Sequence, residues 1–414
     1  MIKKQVKYII FTLIALSVSC DVGLPVVNIP DFGENSMLSS AIPLNDYVKQ
    51  NIEGVYDISD GKTEFGTTFV LKSNGNYLSV FSGQNAVYMV LQGGIMDSGI
   101  VYEGYWRVAT GSETGTIRLF ILNNNGADSL VKGYQPEKII ITGYYIKGRA
   151  KNENSFSIKL TKPLASDKNF WIIGHRGGGR NSDRLQASEN SVEMIMLAER
   201  LGANSIEIDV KLTKDKIPVL FHDENLSLRL INESYFIGSI SNYTFAQLRT
   251  FCNLKYGGEI PSLEEALDTV LEKTNLKLVW LDIKSSGLIE TVAKVQEKYM
   301  EKAELMGRDL EILIGLPTEE AIDEYLKFEG HEYAPAICEL SLDDVRKTNA
   351  VIWAPRWSLG LQTSEIEQMH SEGRRAFVWT LDESRFIKIY MKDGIFEGIL
   401  SNYPSIVAYE YYSE

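Results

Sequence analysis

The stretch that decides the fold reads Trp171-Ile172-Ile173-Gly174-His175-Arg176-Gly177, then Ser205-Ile206-Glu207-Ile208-Asp209-Val210, then Val219-Leu220-Phe221-His222-Asp223. The first and third runs are short, apolar and rich in branched side chains, as expected of buried strands, and each leads into a histidine. The chain has 4 histidines in all. Two of them fall in this one stretch, which marks it as a candidate functional site.

The middle run carries two carboxylates on one face. Side chains alternate between the two faces of a strand, so Glu207 and Asp209 point to the same side. Beside isoleucine and valine, two carboxylates are costly to desolvate unless something positive binds them. The available ligands are all oxygens, which favours a hard cation such as Ca²⁺ or Mg²⁺.

From residue 171 onward, strand patterns alternate with helical ones, which predicts an α/β TIM-type (β/α)8 barrel in a domain spanning 166–414. There are more strand candidates than the eight places of such a barrel, and the sequence does not say which is surplus: 171–175, 205–212, 218–222, 277–284, 311–316, 334–338, 350–354, 376–380 and 397–401. Between 212 and 218 there is no room for a helix. Catalytic groups of such barrels lie at the carboxyl ends of strands, as do His175, Glu207, Asp209, His222, Asp282 and Lys284 here.

These residues resemble the glycerophosphodiester phosphodiesterase family over about residues 171 to 407. The matching pieces keep the family's order and rough spacing: His175-Arg176-Gly177, Glu189-Asn190-Ser191, Glu207-Ile208-Asp209-Val210, His222-Asp223, Ile260-Pro261-Ser262-Leu263-Glu264-Glu265 and Val378-Trp379-Thr380. The resemblance implies the family's barrel and the hydrolysis of a phosphodiester.

The resemblance also implies roles for individual residues. Glu207, Asp209 and Asp282 would bind the divalent metal, although the family usually has the longer glutamate at the third position. His175 and His222 would act as general acid and base, in an order that the sequence leaves open. The remaining residues would bind phosphate (Arg176, Lys284) or support the site (Glu189, Asn190, Trp379).

Two of these implied positions have competing interpretations. Asn190 could equally cap the helix that starts near Ser191. The family commonly has aspartate before its final Tyr-Pro, where this chain has Asn402, and we expect that position to be structural.

The leading functional prediction is metal-dependent hydrolysis of glycerophosphodiesters to glycerol phosphate and an alcohol. One alternative is a phospholipase-C-like or other phosphodiesterase on the same barrel, because the motifs specify the phosphodiester and not the alcohol. Another is a non-catalytic surface binding lipoprotein, which the intact histidine and carboxylate set disfavours. The net charge of −13 argues against a nucleic-acid partner.

The amino terminus predicts export. Basic residues precede a short apolar run and then Ser19-Cys20, which is typical of a lipoprotein signal peptide over residues 1–20 with Cys20 as the lipidated residue. We therefore expect a protein attached by lipid to the bacterial cell envelope, periplasmic or at the surface. Residues 21–45, rich in proline, glycine and serine, are expected to be an extended linker. Whether Cys252 and Cys338 pair is open.

Residues 46–165 predict an all-β domain, a sandwich or a small barrel. A strong hairpin signal, Ser73-Asn74-Gly75-Asn76, separates two strand-like runs, and further strand patterns follow at short spacing. The aromatic residues of this segment could form a ligand platform but are more typical of core (Tyr102, Tyr105, Trp106, Tyr144, Tyr145). No titratable cluster falls here, so we expect the segment to be dispensable for activity on a small soluble diester.

Overall fold

The computed structural model describes residues 26–61, 64–148, 150, 152–165, 169–232 and 236–414. Within these residues the strands form two sheets, and each sheet closes on itself. The predicted signal peptide, with Cys20, lies outside the described residues. Among the residues described, none of the helices has the length and apolar content needed to cross a membrane.

The amino-terminal sheet is antiparallel, and eight of its strands, β2 to β9, close into a small barrel. Its elements are β1 Ile42–Pro43, α1 Asp46–Asn51, β2 Gly54–Gly61, β3 Thr68–Asn74, β4 Tyr77–Ser82, β5 Val87–Met96, β6 Gly99–Val108, β7 Thr114–Leu122, α2 Ala127–Val131, β8 Ile140–Ile146 and β9 Glu153–Lys162. The strand order is therefore that of the barrel alternative rather than the sandwich. Strand β2 was not predicted, because polar residues and terminal glycines interrupt its apolar pattern.

The inside of this barrel is filled by side chains. Phe65 lies 5.0 Å from Trp106 and 4.5 Å from Tyr145, measured between ring centroids. Tyr102, Trp106 and Tyr145 are all buried. These three therefore form core, as the commoner interpretation predicted, whereas Tyr105 and Tyr144 are only half-buried.

The second sheet is the predicted parallel barrel. Its strands are β10 Trp171–Gly174, β11 Ser205–Leu212, β12 Pro218–Leu220, β13 Leu278–Ile283, β14 Glu311–Leu316, β15 Ala336–Cys338, β16 Ile352–Trp353, β17 Arg375–Val378 and β18 Gly398–Ser401. Strand β10 pairs with both β11 and β18, which closes a ring of eight parallel strands that leaves out β12.

The surplus strand candidate is β12. Its strand partner is β11, which it meets antiparallel across a tight turn in which Thr213 N donates to Ile217 O at 3.1 Å. A parallel neighbour would need a crossover of a dozen or more residues, and this link is far shorter. The chain after β12 forms a separate segment that packs around its own apolar cluster. The next helix on the outside of the ring follows this segment.

The helices of this domain cover the outside of the ring, except the second of them, whose Leu248 packs in the separate apolar cluster of the segment after β12. They are α3 Val192–Ala198, α4 Phe245–Phe251, α5 Leu263–Lys273, α6 Ile289–Leu305, α7 Glu319–Lys327, α8 Leu342–Thr348, α9 Thr363–Ser371, α10 Ser384–Lys392 and α11 Pro404–Tyr412. Helix α5 starts at a capping box, in which Ser262 and Glu265 satisfy each other's backbone N–H groups. Cys252 and Cys338 are both buried, lie in different apolar clusters and do not form a disulfide with each other.

The two domains share one apolar core. Phe81 of β4 is fully buried in the same cluster as the helices of the parallel barrel. It packs so closely on Gly202 that a Cβ there would lie 3.0 Å from its ring and 2.6 Å from Ala408 Cβ. Asn74 Nδ2 also donates to the carbonyl of Glu199 at 2.8 Å. The β domain is therefore packed onto the barrel.

The described part of the expected linker is not extended. Its two residues of β1 pair with β5, and Met37 N donates to the Glu103 carboxylate at 3.1 Å. Val27 N donates to the carbonyl of Arg184 at 3.0 Å. From residue 26 onward this segment lies against both domains, because its backbone donors find acceptors there.

Candidate active site

Three carboxylates converge at the carboxyl ends of β11 and β13. The parallel register places Asp209 directly beside Asp282. Glu207 lies two residues earlier on the same inward face of β11. One carboxylate oxygen from each of the three lies within 4.8 Å of the others. The structure thus brings together the three residues that the resemblance proposed as metal ligands.

Among the described residues, one lysine or arginine side chain forms ion pairs with this group. Lys284 Nζ lies 3.4 Å from Asp209 Oδ1 and forms an ion pair with Asp282. Burial and the neighbouring carboxylates raise the pKa of Glu207 well above its ordinary value. Burial and Asp209 likewise raise the pKa of Asp282, although Lys284 opposes the shift. For Asp209 burial is outweighed by Lys284 and the histidines, so its pKa is lowered.

Each of the three carboxylates has a buried oxygen that accepts no hydrogen bond: Glu207 Oε1, Asp282 Oδ1 and Asp209 Oδ1, the last of which has only the ion pair with Lys284 at 3.4 Å. Buried polar atoms are nearly always satisfied, so such oxygens need a partner. Carboxylate oxygens are the ligands of Ca²⁺ and Mg²⁺. The residues present therefore fit a divalent cation, with aspartate at position 282.

His175 follows β10 and is held by a chain of two side chains. Asn402 Nδ2 donates to Asp382 Oδ2 at 2.7 Å, so its Oδ1 faces the imidazole. His175 Nδ1 therefore donates to Asn402 Oδ1 at 2.6 Å, which leaves Nε2 as an acceptor, 3.7 Å from Glu207 Oε2. Burial and the charge of Arg176 lower the pKa of His175 to about 4, so the ring is neutral at pH 7.

This arrangement corrects one expectation. Asn402 was expected to be structural, yet it is the hydrogen-bond partner of His175. The carboxylate that the family commonly has at this position is replaced by an amide. A different carboxylate, Asp382, stands behind the amide and also accepts from Asn402 N at 2.9 Å. Asn402 therefore fixes the orientation of His175.

His222 lies opposite and has the same tautomer. Arg176 Nη2 lies 2.8 Å from His222 Nε2 and can only donate, so Nε2 accepts. His222 Nδ1 in turn donates to Asp223 Oδ1 at 2.9 Å. Both imidazoles thus carry their proton on Nδ1 and keep Nε2 as the acceptor.

Arg176 is tightly held by the protein. Its backbone is in the left-handed region, with φ of 54°, and its N–H donates to Glu207 Oε2 at 2.8 Å. Its Nη1 donates to Glu189 Oε1 at 2.7 Å. Arg229 binds the same carboxylate with Nη1 and Nη2, both at 3.0 Å. Glu189 therefore orients two arginines at the edge of the site.

Asn190 belongs to the site rather than to the helix cap. Its Nδ2 donates to Asp209 Oδ2 at 2.6 Å, and its Oδ1 accepts from Asp209 N at 3.1 Å. The cap of α3 is Ser191, whose side chain accepts from Met194 N. Trp379 lies at the rim, where its Nε1 donates to the carbonyl of Ala354 at 2.8 Å and Arg356 stacks over its ring at 4.8 Å.

Several residues of the site escaped the sequence analysis. Asp223 stood in the quoted motif beside His222 but received no role. Lys211 continues the inward face of β11 and is buried, with Nζ 3.2 Å from Glu224 Oε2. Glu339 directly follows β15, and burial together with the charge of Asp282 raises its pKa to about 8. Its place after a strand end was the signal that could have identified it.

The chain is similar to one known protein family and to several of its characterised or solved relatives. Residues 175–406 match the model of the glycerophosphoryl diester phosphodiesterase family. The glycerophosphodiester phosphodiesterase of Caldanaerobacter subterraneus is 25% identical over 244 residues, which cover 56% of this chain and 94% of the relative. The glycerophosphocholine phosphodiesterase of Eremothecium gossypii is 53% identical over 55 residues, which are 13% of this chain and 4% of that much longer protein. A solved glycerophosphodiester phosphodiesterase from Parabacteroides distasonis is similar with a TM-score of 0.47 and 19% identity, covering 58% of this chain and 96% of the other.

The shifted pKa values predict how a cation should stabilise the fold at different pH. The raised pKa of Glu207 means that its protonated form stabilises the metal-free protein below its ordinary pKa, and that this contribution is lost as pH rises through the folded-state value. A divalent cation binds the ionised form, so the increase in melting temperature on adding Ca²⁺ or Mg²⁺ should be larger near about pH 8 than near about pH 5.5.

Calorimetric melting curves with and without the cation measure this difference. Asp282→Asn serves as the matched variant, because it removes one proposed ligand charge at nearly constant size. The increase in melting temperature on adding the cation should be largely lost in that variant. An increment that is equal at the two pH values, or that persists in Asp282→Asn, would contradict the assignment.

Proposed function

Because the chain belongs to the glycerophosphoryl diester phosphodiesterase family, whose chemistry is the hydrolysis of phosphodiesters, we propose that it hydrolyses glycerophosphodiesters to glycerol phosphate and an alcohol. One observation carries the proposal: three inward carboxylates with unsatisfied oxygens lie next to two histidines that both keep Nε2 as an acceptor. We propose that the reaction depends on a divalent cation, Ca²⁺ or Mg²⁺. Glu207, Asp209 and Asp282 would hold it.

A bound cation would supply Lewis acidity toward a phosphate oxygen and offset the charge of the transition state. The chain's own cations would act with it. Lys284 reaches the carboxylate group, and burial of its ammonium is more than compensated by Asp282 and Asp209, which raise its pKa. Lys284 therefore stays charged at neutral pH. Lys284 and Arg176 are the residues proposed to bind the phosphate.

The hydrogen-bond partners suggest which histidine is base and which is acid. His175 has an amide partner and a pKa lowered to about 4, so its Nε2 is unprotonated at neutral pH. The same shift makes it a weak base, and the nearby carboxylate of Glu207, 3.7 Å from Nε2, would stabilise the imidazolium that forms when it takes a proton from the nucleophile. His222 has a carboxylate partner, Asp223, which stabilises an imidazolium. To act as the acid, His222 would first have to be protonated on Nε2 as well. Nε2 would then give that proton to the leaving alkoxide, while the Nδ1 proton stays hydrogen-bonded to Asp223. The nucleophile is water or a neighbouring hydroxyl of the substrate itself.

The same machinery would serve a phospholipase-C-like substrate, because both histidines and the carboxylate group act on the phosphodiester alone. Assignment to an enzyme family disfavours the alternative of a non-catalytic binding protein. A panel of glycerophosphodiesters with choline, ethanolamine, inositol and glycerol head groups, together with intact phosphatidylinositol, would separate the two enzymatic alternatives.

Two substitutions should abolish turnover by different routes. Asp209→Asn keeps the size and removes a charge, so we expect loss of cation binding and a rate lower on the order of a thousandfold or more. His222→Ala should lower the rate by a comparable factor while the cation still binds, because proton transfer fails. Release of glycerol phosphate and calorimetric cation binding are measured side by side in both variants.

Asp128→Asn, at an exposed ion pair of the β domain, is the control and should behave as the unaltered protein. Near-native activity of Asp209→Asn in the presence of chelator would sink the metal-dependent mechanism.

We further propose that the protein is held at the bacterial cell envelope by a lipid on Cys20. The support is the basic start, the short apolar run and Ser19-Cys20. In Cys20→Ala, the protein should leave the membrane fraction or remain unprocessed, as fractionation and mass spectrometry of the expressed protein would report. Unchanged processing and membrane attachment in that variant would refute the anchor.

A further inference from the structure

We propose that the β domain is a working part of the active site, and that Arg107 is the positioning residue through which it acts. This inference rests on the proposed function, since it takes the residues named there as the catalytic ones. It reverses the expectation that the β domain is dispensable.

Arg107 is an unusual arginine. It lies on β6 and is 0% exposed. In the part of the chain that the structure describes, it forms no ion pair with a carboxylate. Its guanidinium reaches into the other domain, where Nη1 donates to the carbonyl of Arg184 at 3.1 Å and Nη2 to the carbonyl of Asp183. Nη2 also lies 3.3 Å from the carbonyl of Gly111 in its own domain. A buried charge is costly unless it is compensated, and here backbone carbonyls compensate it, two of the three from the parallel barrel.

These carbonyls belong to a short loop, residues 180–184, that connects to both sides of the site. On one side, Tyr403 OH donates to Asp183 Oδ1 at 2.9 Å, and Arg180 Nη2 donates to Tyr403 OH at 3.0 Å. Tyr403 directly follows Asn402, which holds His175. The loop therefore fixes the residue next to the partner of the proposed base.

On the other side, the loop holds Glu189. Asn181 N donates to Glu189 Oε2 at 2.8 Å, and Glu189 N donates to Asn181 Oδ1 at 2.9 Å. Glu189 in turn holds Arg176, which donates to His222. A shift of residues 183 and 184 would therefore move the partners of both histidines.

The carboxylates on β11 and β13 depend on the loop much less. Their backbone positions follow from the register of the parallel sheet, and their links to the loop are indirect, through Arg176 N on Glu207 and Asn190 Nδ2 on Asp209. Loss of Arg107 should therefore disturb proton transfer and phosphate alignment but spare cation binding. Loosened packing alone would lower the melting temperature and leave the turnover of the folded enzyme unchanged.

The test substitutes Arg107→Met, which keeps the length of the side chain and removes its donors. We expect kcat to fall on the order of a hundredfold, the loss associated with small displacements of catalytic groups, while the affinity for Ca²⁺ stays the same. Arg107→Lys keeps the charge and a single donor nitrogen in place of the guanidinium fork, so it should recover part of the activity. Both are measured on the full chain at a temperature where it is folded.

Two variants are matched controls. Asn74→Ala removes another hydrogen bond across the domain interface, to Glu199, without touching the loop. Arg118→Met removes an arginine of the same domain whose described partners are Glu103, Asn35 and Phe32, none of which belongs to the loop of residues 180–184. Both should lower stability at most and leave kcat unchanged.

Hydrogen–deuterium exchange gives a readout that does not depend on turnover. Amides of residues 181–190 should exchange faster in Arg107→Met than in the unaltered protein, and not in Asn74→Ala. If Arg107→Met fails to fold, Arg107→Lys decides the question with the same two measurements. Unchanged kcat and unchanged exchange in a folded Arg107 variant would overturn the inference. If the unaltered protein hydrolyses no diester, the proposed function fails, and the exchange data alone decide whether Arg107 positions the loop.

Discussion

The structure depends on one electrostatic constraint, which is that three carboxylates are buried together at the ends of two neighbouring strands. Glu207, Asp209 and Asp282 face the same space, and Lys284 is the cationic side chain that contacts them. Burial, followed by repulsion from the neighbouring carboxylates, raises the pKa values of Glu207 and Asp282. A divalent cation would remove this conflict and would give each unsatisfied oxygen a partner. The histidines and arginines around the three carboxylates lie where they could align a phosphate bound at the same place.

Much of the barrel and of its candidate site could be predicted from the sequence, because short stretches of sequence determine which residues end a strand and which share a face. A spacing of two residues puts Glu207 and Asp209 on one face of a strand, and short apolar runs that lead into His175 and His222 mark strand ends. The surplus strand could not be identified, since β12 looks like any other strand until its tight turn makes it pair antiparallel with β11. Sequence patterns describe elements better than they describe partners.

The relations that the sequence did not reveal span long distances along the chain. His175 and Asn402 meet because β10 pairs with β18, which closes the barrel between residues that are 227 positions apart. Asp382 and Glu339 come to the site in the same way, after strands on the far side of the ring. No sequence motif indicates the role of Arg107, because its partners include backbone carbonyls of another domain. No residue pattern identifies a carbonyl as an acceptor.

The central claim is that the carboxylate group holds a cation, and anomalous diffraction from crystals grown with Mn²⁺ tests it most directly. Mn²⁺ takes the same oxygen ligands as Mg²⁺ and gives a strong signal. The account predicts one peak at coordination distance, about 2.0 to 2.6 Å, from an oxygen of each of Glu207, Asp209 and Asp282. The account is contradicted if no peak appears there and the Lys284 ammonium alone occupies the space between the three carboxylates.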